Sequence, residues 1–158
     1  ISIAEDLKIG FVDVDKVIYS SNAGKKILKE LNNDFKKKKS KFKKLEESLI
    51  KKENEILKQK NIISEEEINK RINSLKKEID TFRKDMRSTE REFSNKKISA
   101  TNIMLEFLNK ILSKYALDNS YSLIIQKKNI IIGKSDFDIT TEILDIFNKE
   151  VKNVKLKN

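Results

Sequence analysis

The 158-residue chain has no cysteine, histidine, proline or tryptophan, and only three glycines. Without cysteine no disulfide framework is available, and cysteine usage leaves the redox compartment open. Without histidine or cysteine, the commonest general bases, nucleophiles and transition-metal ligands are missing, which argues against an enzyme. No run approaches the roughly 20 apolar residues of a membrane-spanning helix. Two fragments invite a chemical reading, and neither sustains it. Asp13-Val14-Asp15 lacks the other ligands and the glycine of a calcium loop, and a strand end followed by a helix cap explains it better. Gly24-Lys25-Lys26 has Tyr19 where a phosphate loop needs glycine and Lys26 where it needs Ser or Thr, so it reads as a helix start. Nothing calls for a catalytic residue, a metal or a cofactor.

Charge is what the sequence has in abundance. Charged residues make up 38% of the chain against 37% hydrophobic, so much of it cannot lie in a globular core. The net charge of +10 points to an anionic partner: nucleic acid, an acidic protein or an anionic membrane surface. Ile1 in place of methionine fits a chain from which a leader has been removed.

Organisation comes from periodicity. From Gly24 to Leu117 there is no proline, and no glycine after the first residue. Leu28, Leu31, Phe35, Phe42, Leu45, Leu49 and Ile56 keep one heptad frame. Ile68, Ile72, Leu75, Ile79, Phe82, Met86, Phe93, Ala100, Ile103 and Phe107 keep a second. The second is displaced by two residues from the continuation of the first. A continuous coiled coil absorbs a skip of three or four, not of two. Between the frames, Ser64 followed by Glu65-Glu66-Glu67 is a capping box with an acidic first turn. The spacing therefore predicts a chain reversal near Ile62–Ser64 and two long helices folded back on each other. The first, about 55–60 Å long, covers residues 24 to about 62. The second is so apolar between Ile103 and Leu117 that it is expected to run on into a compact body.

The remaining segments build that body. Lys8 to Val14 reads as a strand, Asp15 as the cap of a helical turn, and Ser20 to Gly24 as a turn before the long helix. Past Asp118-Asn119-Ser120, residues 122–126 and 130–133 read as two strands joined at Lys127-Lys128-Asn129. The unbroken Ile130-Ile131-Ile132 run suggests a strand covered on both faces. Asp138 to Glu142 opens a final helix with Ile143, Leu144 and Phe147 inward. The expected fold class is α+β, mostly α: a coiled-coil hairpin over residues 24–102 with its tip near 60–65, and a small β-rich body from residues 8–23 and 103–150. Residues 151–158 form a tail expected to fray. So small a body, with unpaired strand edges, implies self-association, as dimer or trimer. Phe11, Val12, Val14, Ile124, Ile130, Ile131 and Ile132 are the residues assigned to this oligomerisation body.

The candidate binding surface is the basic run of the first helix: Lys36, Lys37, Lys39, Lys41, Lys43 and Lys44. A solvated helix face explains such runs equally often. Lys38, Lys52 and Lys96 fall on seam positions, where buried charge is costly, so they are expected to snorkel out and leave the seam loose. Phe35, Phe42 and Phe93 read as seam. Leu57, Ile62 and Ile63 near the tip are candidates for apolar grip. A specific nucleic-acid reader is disfavoured, since no basic region runs into a parallel zipper, no aromatic stacking strand is evident, and Lys greatly outnumbers Arg.

The two ends of the chain resemble a known family. Lys8-Ile9-Gly10-Phe11-Val12-Asp13-Val14-Asp15-Lys16-Val17-Ile18 with Ser21 to Lys26 is similar to the opening of the Skp/OmpH family of periplasmic chaperones. Tyr121 to Ile125, Ile130 to Ile132 and Asp138 to Ile143 are similar to its closing hairpin and final helix. Asn22 stands where many members carry proline. The resemblance implies a homotrimer with a β-rich body and three helical tentacles around a cavity. In that cavity unfolded outer-membrane proteins are held without ATP and kept from aggregating in the periplasm, by a mature chain without its signal peptide. The lipopolysaccharide site discussed for the family has no residue match here. A purely structural coiled coil or a basic nucleic-acid-binding protein is the alternative.

Overall fold

The computed structural model describes residues 7–156. In chain order these form β1 (Ile9–Val12), α1 (Val14–Ser20), α2 (Asn22–Gln59), α3 (Glu65–Asp118), β2 (Leu123–Gln126) and α4 (Thr140–Glu150), with 3₁₀ turns at Lys127–Asn129 and Ser135–Phe137. The chain divides into two compact units. Leu31–Asn95 is one, and Ile1–Glu30 with Lys96–Asn158 is the other. The fold is mostly helical, with a small two-stranded sheet.

The hairpin unit reverses where the two heptad frames disagree. Helix α2 ends at Gln59, and the Ile62 and Ile63 amides both bond back to the Gln59 carbonyl, at 2.9 and 3.2 Å. The Ser64 hydroxyl then accepts from the Glu67 amide at 3.3 Å, and the Ser64 carbonyl receives the Ile68 amide at 3.0 Å. This is one half of the capping box. Glu67 turns its carboxylate to Arg71, 3.0 Å away and one turn on, and Arg71 also donates to the Gln59 side chain. The last residue of α2 and the first turns of α3 are thus tied by side chains as well as by the loop.

Along the seam the antiparallel register is marked by ion pairs. Lys38 meets Glu92 at 2.8 Å, and Lys52 meets Glu78 at 2.5 Å. Two heptads up α2 match two heptads down α3. Between the pairs, Phe42 meets Phe82 edge to face at 5.9 Å, and beyond the first Phe35 stacks on Phe93 with centroids 4.2 Å apart. The expectation that Lys38 and Lys52 simply snorkel away from a loosened seam needs correction. Each stays about half exposed but crosses to a carboxylate of the opposite helix, which offsets part of the cost of placing charge at the seam. Leu31, Leu49, Ile68 and Leu75 are the buried seam residues, whereas Leu45 and Met86 stay exposed.

The body unit has its core on one stripe of α3. Ala100, Met104, Leu108 and Ile111 recur at helical spacing and are buried, together with Ile27 of α2, Val17 and Ile18 of α1, and Ile143 and Phe147 of α4. Phe107 and Leu117 remain exposed, so the oily end of α3 is covered on part of its circumference in this chain rather than on several sides. Helix α3 stops with Ser120 in the left-handed region at φ 56°. The Tyr121 amide bonds to the Ala116 carbonyl and the Ser120 amide to Leu117, closing the last turn.

The strands differ from expectation in two ways. β1 is shorter than Lys8–Val14, because the Asp13 carboxylate, rather than that of Asp15, caps α1 by accepting from the Lys16 amide at 2.9 Å. Val14 is therefore helical. β1 and β2 pair in parallel, from Ile9 opposite Leu123 to Val12 opposite Gln126. The segment Ile130–Ile132, expected as a strand covered on both faces, is neither: Ile131 is 99% exposed and Ile132 91%. The reason is topological. Phe11 pairs with Ile125 on one edge of β1 and with Asp138 on the other, where its carbonyl accepts the Ile139 amide at 3.0 Å. The chain must pass from one edge of β1 to the other between residues 127 and 137, and Ile130–Ile132 belong to that passage. At the tail, Val151 is buried and Asn153 accepts from Lys26 at 2.7 Å, while residues 157–158 lie outside the described part.

A polar chain closes the sheet against α4. The Asp13 amide donates to the Thr140 hydroxyl at 2.9 Å, which donates to the Asp138 carboxylate at 2.5 Å, and Lys127 bonds the same carboxylate at 2.7 Å. Burial pushes the Asp138 carboxyl up, but the hydrogen bonds from Lys127 and Thr140 outweigh it and hold it below the ordinary carboxylate range. The junction of α1 with α2 is tighter still. Only Ser21 separates the two helices, so the turn expected over Ser20–Gly24 is a single residue and α2 begins at Asn22. The Ser21 hydroxyl donates to the Ile18 carbonyl and accepts from the Gly24 amide, both at 3.1 Å. The Asn22 amide donates to Asn148 of α4 at 2.8 Å, a bond that proline at this position could not make.

Two outcomes follow from these contacts. A Cβ at Gly24 would stand 1.8 Å from the Ile18 carbonyl oxygen, a backbone atom with little room to retreat. In an unobstructed helix Gly→Ala stabilises by about 1 kcal/mol, but here the steric clash wins: Gly24→Ala should destabilise by about 1–3 kcal/mol in urea unfolding. Asp138→Asn should also lower stability. Because the folded carboxyl is depressed, the wild-type advantage is present above the ordinary carboxylate pKa of about 3.9 and is lost as pH falls through the lower folded value. Thermal melts of both proteins between about pH 7 and pH 2 should converge at the acid end.

Candidate functional site

The basic run sits on α2 within the hairpin unit. Lys36, Lys37, Lys39, Lys41, Lys43 and Lys44 are all exposed. A helix that places seven lysines in nine positions from Lys36 to Lys44 must turn some of them towards its partner, and the structure divides them accordingly. Lys39 and Lys43, one turn apart, border a shallow groove of about 160 Å³ on one side of Phe42. Lys38 and Lys41 border a wider depression of about 400 Å³ on the other side, facing Asp85. Lys36, Lys37 and Lys44 line neither.

The floor of the smaller groove is aromatic. Phe35, Phe42 and Phe82 form it with Met86, and Thr89, Glu46 and Glu90 complete the rim. The Lys39 ammonium lies 5.7 Å from the Phe35 ring centroid, within cation–π range. Phe35, Phe42 and Phe82 are only half-buried, because two helices cover one strip of each other and leave the flanks of that strip open. The seam phenylalanines therefore do two things at once: they hold the helices together and they show a face to the surroundings. Sequence reasoning placed Phe35 and Phe42 in the seam and missed this groove. Once the reversal is set near residue 63, antiparallel register brings Phe35 to Phe93 and Phe42 to Phe82, so the signal was present in the pairing rather than in any local motif.

The three tip residues are not equivalent. Ile62 is 79% exposed and Leu57 63%, whereas Ile63 is half-buried under the turn. In the body unit, Phe11 and Val12 are buried within their own chain, and Val14, Ile124 and Ile130 are half-buried. Ile131, Ile132 and Leu123 are exposed. A third concavity, about 380 Å³, is lined by Val12, Leu112, Tyr121, Ile124 and Ile125 among others. Among the described residues no group of three or more acidic side chains is arranged to hold a metal ion, and no helix is long and apolar enough to cross a membrane.

Comparison with known proteins agrees with the resemblance at the chain ends. The crystal structure of a Caulobacter crescentus protein described as an OmpH-like outer membrane chaperone superposes with a TM-score of 0.88, covering 98% of this chain and 91% of that one, at 12% identity. So low an identity speaks for the fold alone. No curated protein matches. Residues 8–147 match the family of outer membrane proteins described as OmpH-like, a span that includes β1, both long helices, β2 and most of α4. This chain belongs to the OmpH-like outer membrane protein family.

Proposed function

We propose that this protein is a chaperone of the cell envelope, and more specifically an ATP-independent holdase. It binds unfolded outer-membrane proteins in the periplasm and keeps them from aggregating. The observation that carries the reading is the hairpin surface of a family member: six exposed lysines on one helix beside a seam whose aromatic residues are only half covered. An acidic unfolded polypeptide is drawn in by the positive field. It is then held by many contacts, each weak, because an exposed ion pair contributes only about 0–1 kcal/mol. Such a surface needs no nucleotide and imposes no single bound pose. Leu57 and Ile62 at the tip add apolar contact. The family supports a role of this kind.

The assembly we propose is a homotrimer built on the body unit, which multiplies the +10 of each chain threefold around one enclosed space. Ile131, Ile132 and Leu123 are the side chains it would cover, since exposed isoleucines this complete are uncommon without a partner.

The function is tested by aggregation of an unfolded outer-membrane β-barrel protein on dilution from urea, with no nucleotide present. Suppression is expected at equimolar trimer, and undiminished aggregation would overturn the holdase reading. Changing Lys36, Lys37, Lys39, Lys41, Lys43 and Lys44 to Glu should slow capture by about tenfold or more at low salt, and the difference should shrink as added salt screens the field. Equal capture rates at low salt would remove the electrostatic half. Assembly is tested by light scattering: three times the chain mass of 18.5 kDa is expected, and Ile131→Asp with Ile132→Asp should reduce it to a single chain.

A further inference from the structure

The groove beside Phe42 has the size and lining of a site for one aromatic ring. Its volume of about 160 Å³ is close to the roughly 150 Å³ of an engineered apolar cavity that accommodates benzene. Three phenylalanines and Met86 form its floor, and each of those rings already meets another across the seam, Phe35 stacked on Phe93 and Phe42 edge-on to Phe82. A further ring entering from solvent finds the offset and edge-to-face partners that aromatic pairs prefer. Methionine in such a wall adapts to rings of different outline, as it does at surfaces that take many partners.

The rim says what surrounds that ring. Lys39 and Lys43 border the groove and belong to the exposed basic run, so the positively charged surface and the aromatic floor are adjacent parts of one site. Glu46 and Glu90 occupy the remaining rim and can accept a tyrosine hydroxyl, an indole N–H or a peptide amide. We infer that the hairpin takes a single aromatic side chain lying within an acidic stretch of an unfolded polypeptide. The ring enters between Phe35, Phe42, Phe82 and Met86, while flanking carboxylates meet Lys39 and Lys43. This rests on the chaperone reading and sharpens it. The apolar grip lies in the middle of the hairpin unit, next to the lysines, rather than only at Leu57 and Ile62.

The protein's own composition makes the test clean, because it has neither tryptophan nor cysteine. A short acidic peptide carrying one tryptophan would be titrated with the full chain and compared with the same peptide carrying leucine. The tryptophan peptide should bind about fivefold more tightly, with blue-shifted emission. Single cysteines bearing a nitroxide then locate the ring. Emission should be quenched by a label at Glu46→Cys and hardly at all by one at Ile62→Cys. Met86→Gln, which adds no charge beside the lysines, should lower affinity for the tryptophan peptide by about fivefold without changing that for the leucine peptide. Equal affinity of the two peptides overturns the inference, as does quenching from Ile62→Cys instead of Glu46→Cys, and both readouts stand even if Met86→Gln fails to fold. Aggregation suppression by the unmodified protein is read separately. A protein that suppresses aggregation yet binds the two peptides alike remains a holdase without an aromatic site. One that binds tryptophan at Glu46 but suppresses nothing keeps the site and loses the holdase role.

Discussion

Two helices lying side by side can cover only one strip of each other, and that limit governs the hairpin unit. A seam of one residue in three or four is all that α2 and α3 can bury between residues 31 and 95. Leu31, Leu49, Ile68 and Leu75 are buried, and the larger Phe35, Phe42, Phe82 and Phe93 are only half-buried. Charge fills what apolar area leaves. Lys38–Glu92 and Lys52–Glu78 cross the seam two heptads apart and mark its register. Their individual stabilisation is small at this exposure. Their larger effect is to disfavour a slip, since any other register would separate two pairs at once. An open seam is also what lets the same residues hold the helices together and offer an apolar surface.

The body unit answers a different constraint, the close passage of backbone past backbone. Between α1 and α2 a single residue makes the link, and it succeeds because Gly24 has no side chain where the Ile18 carbonyl crosses. Ser21 satisfies both backbone groups left over at that crossing, and it does so while fully buried. At the other end of α3, Ser120 takes a left-handed conformation that glycine adopts at less cost. Around the sheet, Asp138 is the meeting point of the Lys127 turn, the start of α4 and, through Thr140, the end of β1. These polar links do the positioning that so small a core cannot do by packing alone.

For function, the consequence is a surface with little built-in selectivity. Nothing about exposed lysines or an open aromatic seam demands one partner conformation, which is what the proposed chaperone role calls for. On the proposed reading selectivity of a coarse kind remains: positive charge would prefer acidic partners, and the groove beside Phe42, lined by three phenylalanines, would prefer rings.

How much of this the sequence carried depends on the range of the interaction. The reversal near residue 63 was legible because a two-residue frame slip and a Ser64–Glu67 cap are local; α2 ends and α3 begins around it, although only the Ser64 half of the capping box forms and Glu67 pairs with Arg71 instead. Of the three residues of α4 expected inward, Ile143 and Phe147 are buried, as helical spacing required for the same reason, and Leu144 is half-buried. The Ile130–Ile132 run was misread because apolar composition registers a tendency to be covered, not which edge of β1 the chain must reach next. The cap of α1 moved from Asp15 to Asp13 because pairing with β2 and Thr140 decides where β1 ends. The aromatic groove, the cross-seam ion pairs and the need for glycine at position 24 were left to the tertiary structure. Each joins residues at least several positions apart, from opposite helices or across a tight link, and periodicity along one chain has no access to distances across two.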